Sequence, residues 1–293
     1  MSTSNPNPSK LRWGTAFEAF TATWHYRSEL LQLSWFWLLL ILPIMGTLDW
    51  ILYPWTSNSE GSALVSIGTA MVPQMVGMFA GASVAVAWHR LIINGENPTS
   101  DVYFRVDATV IKYFIAAVII VILFTLPVAI GIGIFGGPVS EIAAAPEPAS
   151  PLPMDTNASS LTCFVCLLIA APLITFALAI ISYLPTRFAL ILPAIALGHK
   201  DTSLAKSWNA TRRNYIRIFF GTMISGLAVC AFSLLPWLIT GIENPTRWTS
   251  ALTTIFGTVL GFTLGMVSIT FISLTYSQLL GHDHSALPSD TEV

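Results

Sequence analysis

The sequence predicts an all-α fold, a polytopic membrane helical bundle of six transmembrane helices. Of the 293 residues, 54% are hydrophobic and only 10% are charged, which is too apolar for a soluble domain. Six stretches carry no charged residue, and each is near or above the roughly 20 residues that a helix needs to cross about 30 Å of hydrocarbon. They are residues 30–48, 61–88, 113–140, 156–186, 218–242 and 248–281.

Positive charge lies almost entirely on one side of these stretches. With the N-terminus in the cytoplasm, all but Arg247 of the 13 Lys and Arg residues fall in the N-terminal segment or in the loops after the second and fourth stretches. Cytoplasmic loops of membrane proteins carry this kind of excess. The pattern therefore predicts a multi-pass membrane protein with both termini in the cytoplasm.

We expect residues 1–284 to form a single domain, because no polar stretch is long enough to fold separately. The predicted spans are approximately 33–54, 63–88, 113–136, 160–183, 216–240 and 249–279. Five prolines in 138–159 predict an extended external loop, and the polar residues 285–293 predict a disordered tail.

A recurring Leu-Pro pair indicates three repeated units. It lies in the outward half of the first, third and fifth spans, at Leu42-Pro43, Leu126-Pro127 and Leu235-Pro236. A short segment with apolar residues three or four positions apart precedes each of these spans. The apolar residues are Phe17, Phe20 and Trp24, then Val102, Val106 and Val110, then Leu204 and Trp208. Each unit is then an interfacial amphipathic helix followed by a helical hairpin.

Small residues predict closely packed helix faces. Gly257, Gly261 and Gly265 form a G-x-x-x-G-x-x-x-G face in the last span, and Gly77 and Gly81 repeat the spacing in the second. Such faces let helix backbones approach each other closely in a membrane. Packing within the chain is the favoured interpretation, and homo-oligomerisation is the alternative.

Two groups of residues on the predicted cytoplasmic side are candidates for contact with a lipid or a partner protein. His89 and Arg90 end the second span, where they could meet a lipid phosphate with Glu96 orienting the histidine. The second group is a basic cluster that an anionic leaflet would attract. It consists of Lys206, Arg212, Arg213 and Arg217. An interfacial anchor and non-specific leaflet binding are the simpler interpretations of the two groups.

The spans contain no ionisable residue at mid-depth, which disfavours a proton-coupled pump. No motif of a hydrolase, a zinc protease or a nucleotide-binding protein is present in the sequence. His282-Asp283-His284 supplies metal-ligand types but no fourth ligand. We therefore expect no catalytic residue, no cofactor and no metal. The basic residues lie at the membrane surface, so we expect no nucleic-acid partner either.

Several short motifs resemble a known family. They are Ala87-Trp88-His89-Arg90 with Gly95-Glu96, Arg187-Phe188-Ala189-Leu190 with Leu192-Pro193, and Ser203-Leu204 with Ser207-Trp208, Thr211 and Asn214. This pattern resembles the YciC-like integral membrane proteins of bacteria, which are similar to the membrane domain of some glycerophosphodiester phosphodiesterases. The resemblance implies a multi-helix inner-membrane protein linked to lipids or the cell envelope. It carries over no catalytic residue.

The leading functional hypothesis is a non-enzymatic inner-membrane protein that associates with lipids or acts as a scaffold in the cell envelope. Membrane lipids with anionic headgroups are the expected partners, and a membrane protein or a second copy of the chain is the alternative. A transporter of a hydrophobic or neutral solute is the second hypothesis, because kinked repeats are typical of transporters. A membrane enzyme acting on lipid headgroups around His89, Arg90 and Glu96 is the weakest.

Overall fold

The computed structural model describes residues 10–57, 63–98, 103–143, 177, 179–199, 204–226 and 247–280. Within these ranges every regular element is an α-helix, which confirms the predicted all-α fold. The helices are α1 (Thr15–His25), α2 (Arg27–Ser57), α3 (Ala63–Asn94), α4 (Ala108–Ala143), α5 (Tyr183–Phe188), α6 (Ile191–Leu197), α7 (Leu204–Thr211), α8 (215–226) and α9 (Arg247–Leu280).

Five helical segments of the described chain are long and apolar enough to cross a membrane. They are Arg27–Leu48, Met75–Asn94, Ala108–Pro127, Ala179–Leu197 and Ala251–Leu280. Much of the predicted spans 160–183 and 216–240 lies outside the described residues, so the structure does not confirm six spans. It does show a chain built as a multi-pass membrane protein.

The structure differs from the predicted start of the external loop, because helix α4 extends past it. The external loop was expected from residue 138, but α4 continues to Ala143. A helix can include Pro138 when it runs through a membrane, because neighbouring groups satisfy the freed carbonyl. Residues 144–159 of that loop and the tail 285–293 lie outside the described residues.

Helix α4 shows why the bundle needs lipid around it. Only 11% of its most apolar window is buried inside the protein, although the mean hydropathy of that window is 2.5. Most of its exposed side chains are large and aliphatic or aromatic, and they include Ile111, Ile115, Ile119, Ile122 and Phe124. A continuous apolar surface of this kind on one helix marks a membrane interface.

Helix α3 forms the centre of the described bundle. It packs against α2, α4, α6 and α9, and 67% of its apolar window is buried. Val84, Trp88 and Leu91 are all fully buried and belong to the largest hydrophobic cluster. Groups at the end of α3 are therefore held in a rigid frame, which matters for the site described below.

Amphipathic helices were predicted before the first, third and fifth spans, and the structure agrees with these predictions to different extents. Helix α1 lies at the first position, with its small residues buried and Phe17 and Trp24 exposed, whereas Phe20 packs partly buried against the core. Helix α7 confirms a helix at the third position. The second prediction is wrong for residues 103–107, which are not helical; their side chains alternate between half-buried and exposed, as in an extended chain. The described residues thus show a helix at two of the three predicted positions and do not confirm the repeat.

The glycine faces remain open within the described chain. A Cβ atom added at Gly77, Gly81, Gly257, Gly261 or Gly265 would meet no described atom within 4 Å. A Cβ at Gly221 of α8 would instead overlap the ring of Phe271 in α9. Close helix approach in the described bundle therefore depends on Gly221, a position that the G-x-x-x-G spacing did not indicate.

Candidate lipid-headgroup site

Several chain segments meet at one end of the bundle, which we call the basic end. The N–H group of Leu11 donates to Asn214 Oδ1 at 3.1 Å, and Arg217 Nη1 donates to the carbonyl of Leu11 at 2.5 Å. On the other side, Arg90 Nε donates to the carbonyl of Ala196 at 2.8 Å. The basic end thus brings together the N-terminal segment, the end of α3, the end of α6 and the start of α8.

His89 lies inside the bundle rather than at its surface. Its side chain is fully buried, with Nδ1 at 2.6 Å from Ser273 Oγ of α9 and Nε2 at 3.0 Å from Tyr113 Oη of α4. Both ring nitrogens therefore have partners, and the ring links α3 to two neighbouring helices. The prediction that His89 contacts lipid is wrong, because no part of the ring reaches a headgroup.

A second buried hydrogen-bond chain lies one residue away. Trp88 Nε1 donates to Thr270 Oγ1 at 2.7 Å, and Thr270 Oγ1 lies 2.9 Å from Thr23 Oγ1 of α1. Trp88 is fully buried, so it belongs to the core of the bundle. The conspicuous Trp88-His89 pair is a structural element that fixes α1, α3, α4 and α9 together.

Arg90 and Glu96 come close together through the turn that ends α3. Gly95 adopts φ 69°, a left-handed conformation that glycine adopts without strain. The N–H of Glu96 donates to the carbonyl of Arg90 at 3.4 Å, and that of Gly95 donates to the carbonyl of Leu91 at 2.9 Å. This is a glycine-based helix C-cap, and it folds Glu96 back toward Arg90. Asn94 Nδ2 donates to Glu96 Oε1 at 2.9 Å and holds the carboxylate.

The extended segment 103–107 lies against α2 and α3. Ser83 Oγ of α3 donates to the carbonyl of Arg105 at 2.7 Å, and the Phe104 ring stacks on Trp37 with centroids 5.0 Å apart. Arg105 Nε donates to Asp107 Oδ2 at 2.6 Å, and its Nη2 lies 2.5 Å from the same oxygen. These contacts fix the position of the Arg105 guanidinium.

Asp107 is the N-terminal cap of α4. Its Oδ1 accepts the N–H of Val110 at 2.9 Å, which satisfies a backbone donor that the helix leaves free. Burial raises the pKa of this carboxyl, but the hydrogen bonds from Val110 and Arg105 outweigh burial, so the net pKa is lowered. Asp107 therefore remains a carboxylate and orients Arg105.

A cavity of about 460 Å³ opens between these elements. Its lining contains two guanidinium groups and one carboxylate, from Arg90, Arg105 and Glu96, together with Leu33, Ala87, Asn97, Pro98 and Tyr103. We call it the Arg90–Arg105 pocket. It combines both signs of charge with hydrogen-bonding groups and a small apolar wall.

The Tyr103 hydroxyl has an unusual position beside this pocket. It is buried beside the Arg105 guanidinium, which can only donate a hydrogen bond to it, so the hydroxyl proton has no acceptor among the described residues. Burial raises the pKa of Tyr103, and the nearby guanidinium groups of Arg105 and Arg90 partly offset this rise. Both cations therefore lie close enough to act on one buried hydroxyl. An unpaired polar group in such a site is costly unless a ligand or water satisfies it.

The structure divides the predicted basic cluster into exposed and structural members. Lys206, Arg212 and Arg213 are exposed. Arg217 instead binds the Leu11 carbonyl and lies over the Trp13 ring at 5.3 Å, so it anchors the N-terminal segment.

Arg187, which our site predictions did not include, is a buried structural residue. Its guanidinium lies over the rings of Tyr183 and Trp208, at 4.7 Å and 4.6 Å. Its Nη1 donates to the Trp208 carbonyl at 2.9 Å. The side chain therefore joins α5 to α7 and is not available to a ligand.

The site contains two predicted residues and two that sequence reasoning missed. Arg90 and Glu96, two of the predicted contact residues, line the pocket, whereas Arg105 and Tyr103 were not predicted. Glu96 does not orient His89 as expected, because both ring nitrogens of His89 bind other side chains. The signal for them was the sequence Tyr-Phe-Arg-Val-Asp over 103–107, which alternates polar and apolar residues. Its period of two indicates an extended chain with one polar side.

Comparisons with protein-family models, curated proteins and solved structures found no match to this chain.

Proposed function

We propose that this chain is a non-enzymatic protein of the bacterial inner membrane that associates with phospholipids through its basic end. The resemblance to YciC-like proteins, which are linked to the envelope, points the same way. In this proposal the basic end faces the cytoplasm, with both termini on that side, because nearly all Lys and Arg residues lie there.

The observation that carries the proposal is the outward face of α1. Trp13 just before the helix, Phe17 and Trp24 are 60%, 65% and 72% exposed, and they lie on one side of the helical turn. Small residues such as Ala16 and Ala19 face the bundle on the opposite side. An aromatic face exposed to water is costly, whereas the headgroup region of a bilayer stabilises it.

Exposed cations flank this aromatic face at the same end of the bundle. Arg212 and Arg213 are both exposed at the start of α8, close to Asn214, which accepts the N–H of Leu11. Each basic residue near an anionic leaflet contributes about 1 kcal/mol of attraction. Aromatic side chains and cations at one level are what an interfacial surface requires.

The buried state of His89 supports a non-enzymatic role. The headgroup-enzyme hypothesis used His89 as the acid–base group, but both of its ring nitrogens bind other side chains inside the bundle. A general acid or base must reach the atom from which it takes a proton. His89 does not meet that requirement.

Lipid retention in native nanodiscs tests the proposal. We expect wild-type protein to retain phospholipids, and the Phe17→Ser/Trp24→Ser variant to retain fewer because it loses the aromatic face. The Arg212→Ala/Arg213→Ala variant should lose anionic lipids selectively. Thr21→Ser is the matched control, because Thr21 is exposed on α1 but contributes no apolar ring.

Arg217 is left unchanged in this experiment because it anchors Leu11, and its loss would disturb the fold. Retention of the same lipids by wild type and by both double variants would contradict the proposal. Retention of a partner protein in place of lipid, lost in the same variants, would support the scaffold hypothesis instead.

A further inference from the structure

We propose that the Arg90–Arg105 pocket binds a phosphate ester that also carries an ammonium group, the chemistry of a phosphoethanolamine headgroup. The inference rests on the proposed function for placing the pocket at the level of lipid headgroups, and it names the headgroup class. The same chemistry occurs in a phospholipid and in soluble glycerophosphoethanolamine, and the experiment below separates these two sources.

The two arginines form the phosphate half of the site. Arg90 uses Nε to bind the Ala196 carbonyl, and Arg105 uses Nε and Nη2 to bind one oxygen of Asp107. Neither Nη group of Arg90 forms a hydrogen bond to a described residue, and the Arg105 guanidinium has the Tyr103 hydroxyl as its further neighbour, so both side chains can present N–H groups to phosphate oxygens. Guanidinium groups recognise phosphate through directed, charge-assisted hydrogen bonds of this kind.

Tyr103 adds a neutral donor to the same half. Its buried hydroxyl lies beside the Arg105 guanidinium, which can only donate to it, so the hydroxyl proton has no acceptor among the described residues. A phosphate oxygen held between the two arginines would accept the Tyr103 proton and satisfy the group. This explains why the fold keeps a polar oxygen in a buried position.

Glu96 makes the pocket unsuitable for a purely anionic ligand. Its carboxylate lines the same cavity, where it would repel a second negative charge, and it is held there by Asn94. An ammonium group on the ligand turns this repulsion into attraction. The arrangement therefore selects a headgroup with both charges over one with phosphate alone, because the Glu96 carboxylate repels a ligand that is only anionic.

The surroundings of the pocket suit a ligand that has acyl chains. Phe104 and Val106 are 56% and 51% exposed, and they alternate with the pocket residues Tyr103 and Arg105 along one extended segment. The segment therefore turns polar atoms toward the pocket and apolar side chains away from it. A headgroup could enter the pocket while its chains stay in contact with the apolar surface of the bundle.

Titration of the detergent-purified full chain with three soluble compounds tests the chemistry. We would measure, by isothermal titration calorimetry, the binding of glycerophosphoethanolamine, glycerophosphoglycerol and ethanolamine. Glycerophosphoethanolamine should bind about tenfold more tightly than either of the others, since only it satisfies both halves of the site. Equal or tighter binding of glycerophosphoglycerol, or no binding of any compound, would overturn the proposal.

Four variants assign the two halves. Arg105→Gln should lower the affinity for glycerophosphoethanolamine about tenfold by removing a charge-assisted contact, and Tyr103→Phe should lower it severalfold with little loss of stability. Glu96→Gln should leave glycerophosphoethanolamine and glycerophosphoglycerol equal. Because Glu96 is exposed, this change does not threaten the fold. Arg212→Gln is the control, an exposed arginine that does not line the pocket, and should bind as wild type does. An unchanged preference in Glu96→Gln would overturn the ammonium half.

A second arm identifies the source of the headgroup. Wild type and Arg105→Gln would be placed in nanodiscs containing equal amounts of phosphatidylethanolamine and phosphatidylglycerol, and the lipids kept by the protein would be identified by native mass spectrometry. Phosphatidylethanolamine kept by wild type and lost by the variant assigns the lipid. Binding of the soluble compound without retention of that lipid assigns a soluble ligand.

The two proposals can fail separately. If glycerophosphoethanolamine binds while the Phe17→Ser/Trp24→Ser and Arg212→Ala/Arg213→Ala variants both keep all their lipids, the pocket stands and the proposed function falls. If these two variants lose lipid while no soluble compound binds, the proposed function stands and the pocket proposal falls.

Discussion

The sharpest test of the fold around the site is the change Tyr113→Phe. The Tyr113 hydroxyl lies 3.0 Å from His89 Nε2, and both side chains are buried, at 4% and 0% exposure. The substitution removes only this hydroxyl and leaves the ring, so it creates almost no cavity. Its effect should come from one hydrogen bond between α3 and α4 and from the nitrogen left without a partner.

The expected loss is about 1–2 kcal/mol in the free energy of unfolding. Hydrogen bonds between membrane helices contribute about 0.6 kcal/mol on average and up to about 1.7 kcal/mol. A buried polar group that loses its partner costs about 1–3 kcal/mol. Because His89 is completely buried, we expect a loss near the upper value for hydrogen bonds between membrane helices.

Tyr103→Phe provides a matched control, because it also removes one buried tyrosine hydroxyl. This hydroxyl has only the Arg105 guanidinium beside it and no hydrogen bond of normal geometry, so its removal should cost clearly less stability than Tyr113→Phe does. Unfolding of both variants and wild type in mixed micelles, as the fraction of sodium dodecyl sulfate rises, gives the free energies. Tryptophan fluorescence can follow the transition. An equal loss in the two variants, or a larger one in Tyr103→Phe, would refute the hydrogen-bond assignment.

Three further predictions follow from the described contacts. Gly221→Ala should destabilise the bundle strongly, by overlap with the Phe271 ring, while Gly257→Ala should be close to neutral, as the same unfolding experiment would show. Gly95→Ala should cost about 1 kcal/mol, because alanine is strained at φ 69°, and should weaken binding in the pocket by displacing Glu96. Asp107 stabilises the fold as a carboxylate, because its pKa is lowered in the folded protein. This stabilisation should be complete above the ordinary carboxyl pKa and should disappear as the pH falls through the lowered pKa. Thermal unfolding of wild type and Asp107→Asn between pH 5 and pH 2 measures the loss.

The helical membrane architecture could be predicted because it depends on composition and length. Long apolar stretches can satisfy their backbone in lipid only as helices, so the sequence determines this level almost alone. Helix α1 was also predictable, because Phe17 and Trp24 recur at helical spacing. The Val102, Val106 and Val110 spacing failed, since it competes with the period of two over 103–107 and with the Asp107 cap.

The candidate site was only half predictable for a physical reason. Arg90 and Glu96 are close in sequence, and a single glycine turn brings them together. Arg105 reaches the same pocket only because Ser83 and Trp37 hold the extended segment against α2 and α3, which is a tertiary effect. The position of His89 was predicted wrongly because the local sequence around a histidine near the end of a span does not tell whether its side chain lies at the surface or in the core. Its partners Tyr113 and Ser273 are distant in sequence.

A spin-label scan of the first helix tests the central claim, that the basic end lies among lipid headgroups. In a variant with the three cysteines replaced by alanine, a nitroxide-labelled cysteine would be introduced in turn at each position from 13 to 27 in liposomes. Electron paramagnetic resonance then measures collisions with oxygen, which concentrates in lipid, and with a water-soluble nickel chelate. We predict a helical period, with oxygen collisions highest at Trp13, Phe17 and Trp24 and both collision rates low at Ala19. High nickel accessibility at Phe17 and Trp24 would place this face in water and contradict the account.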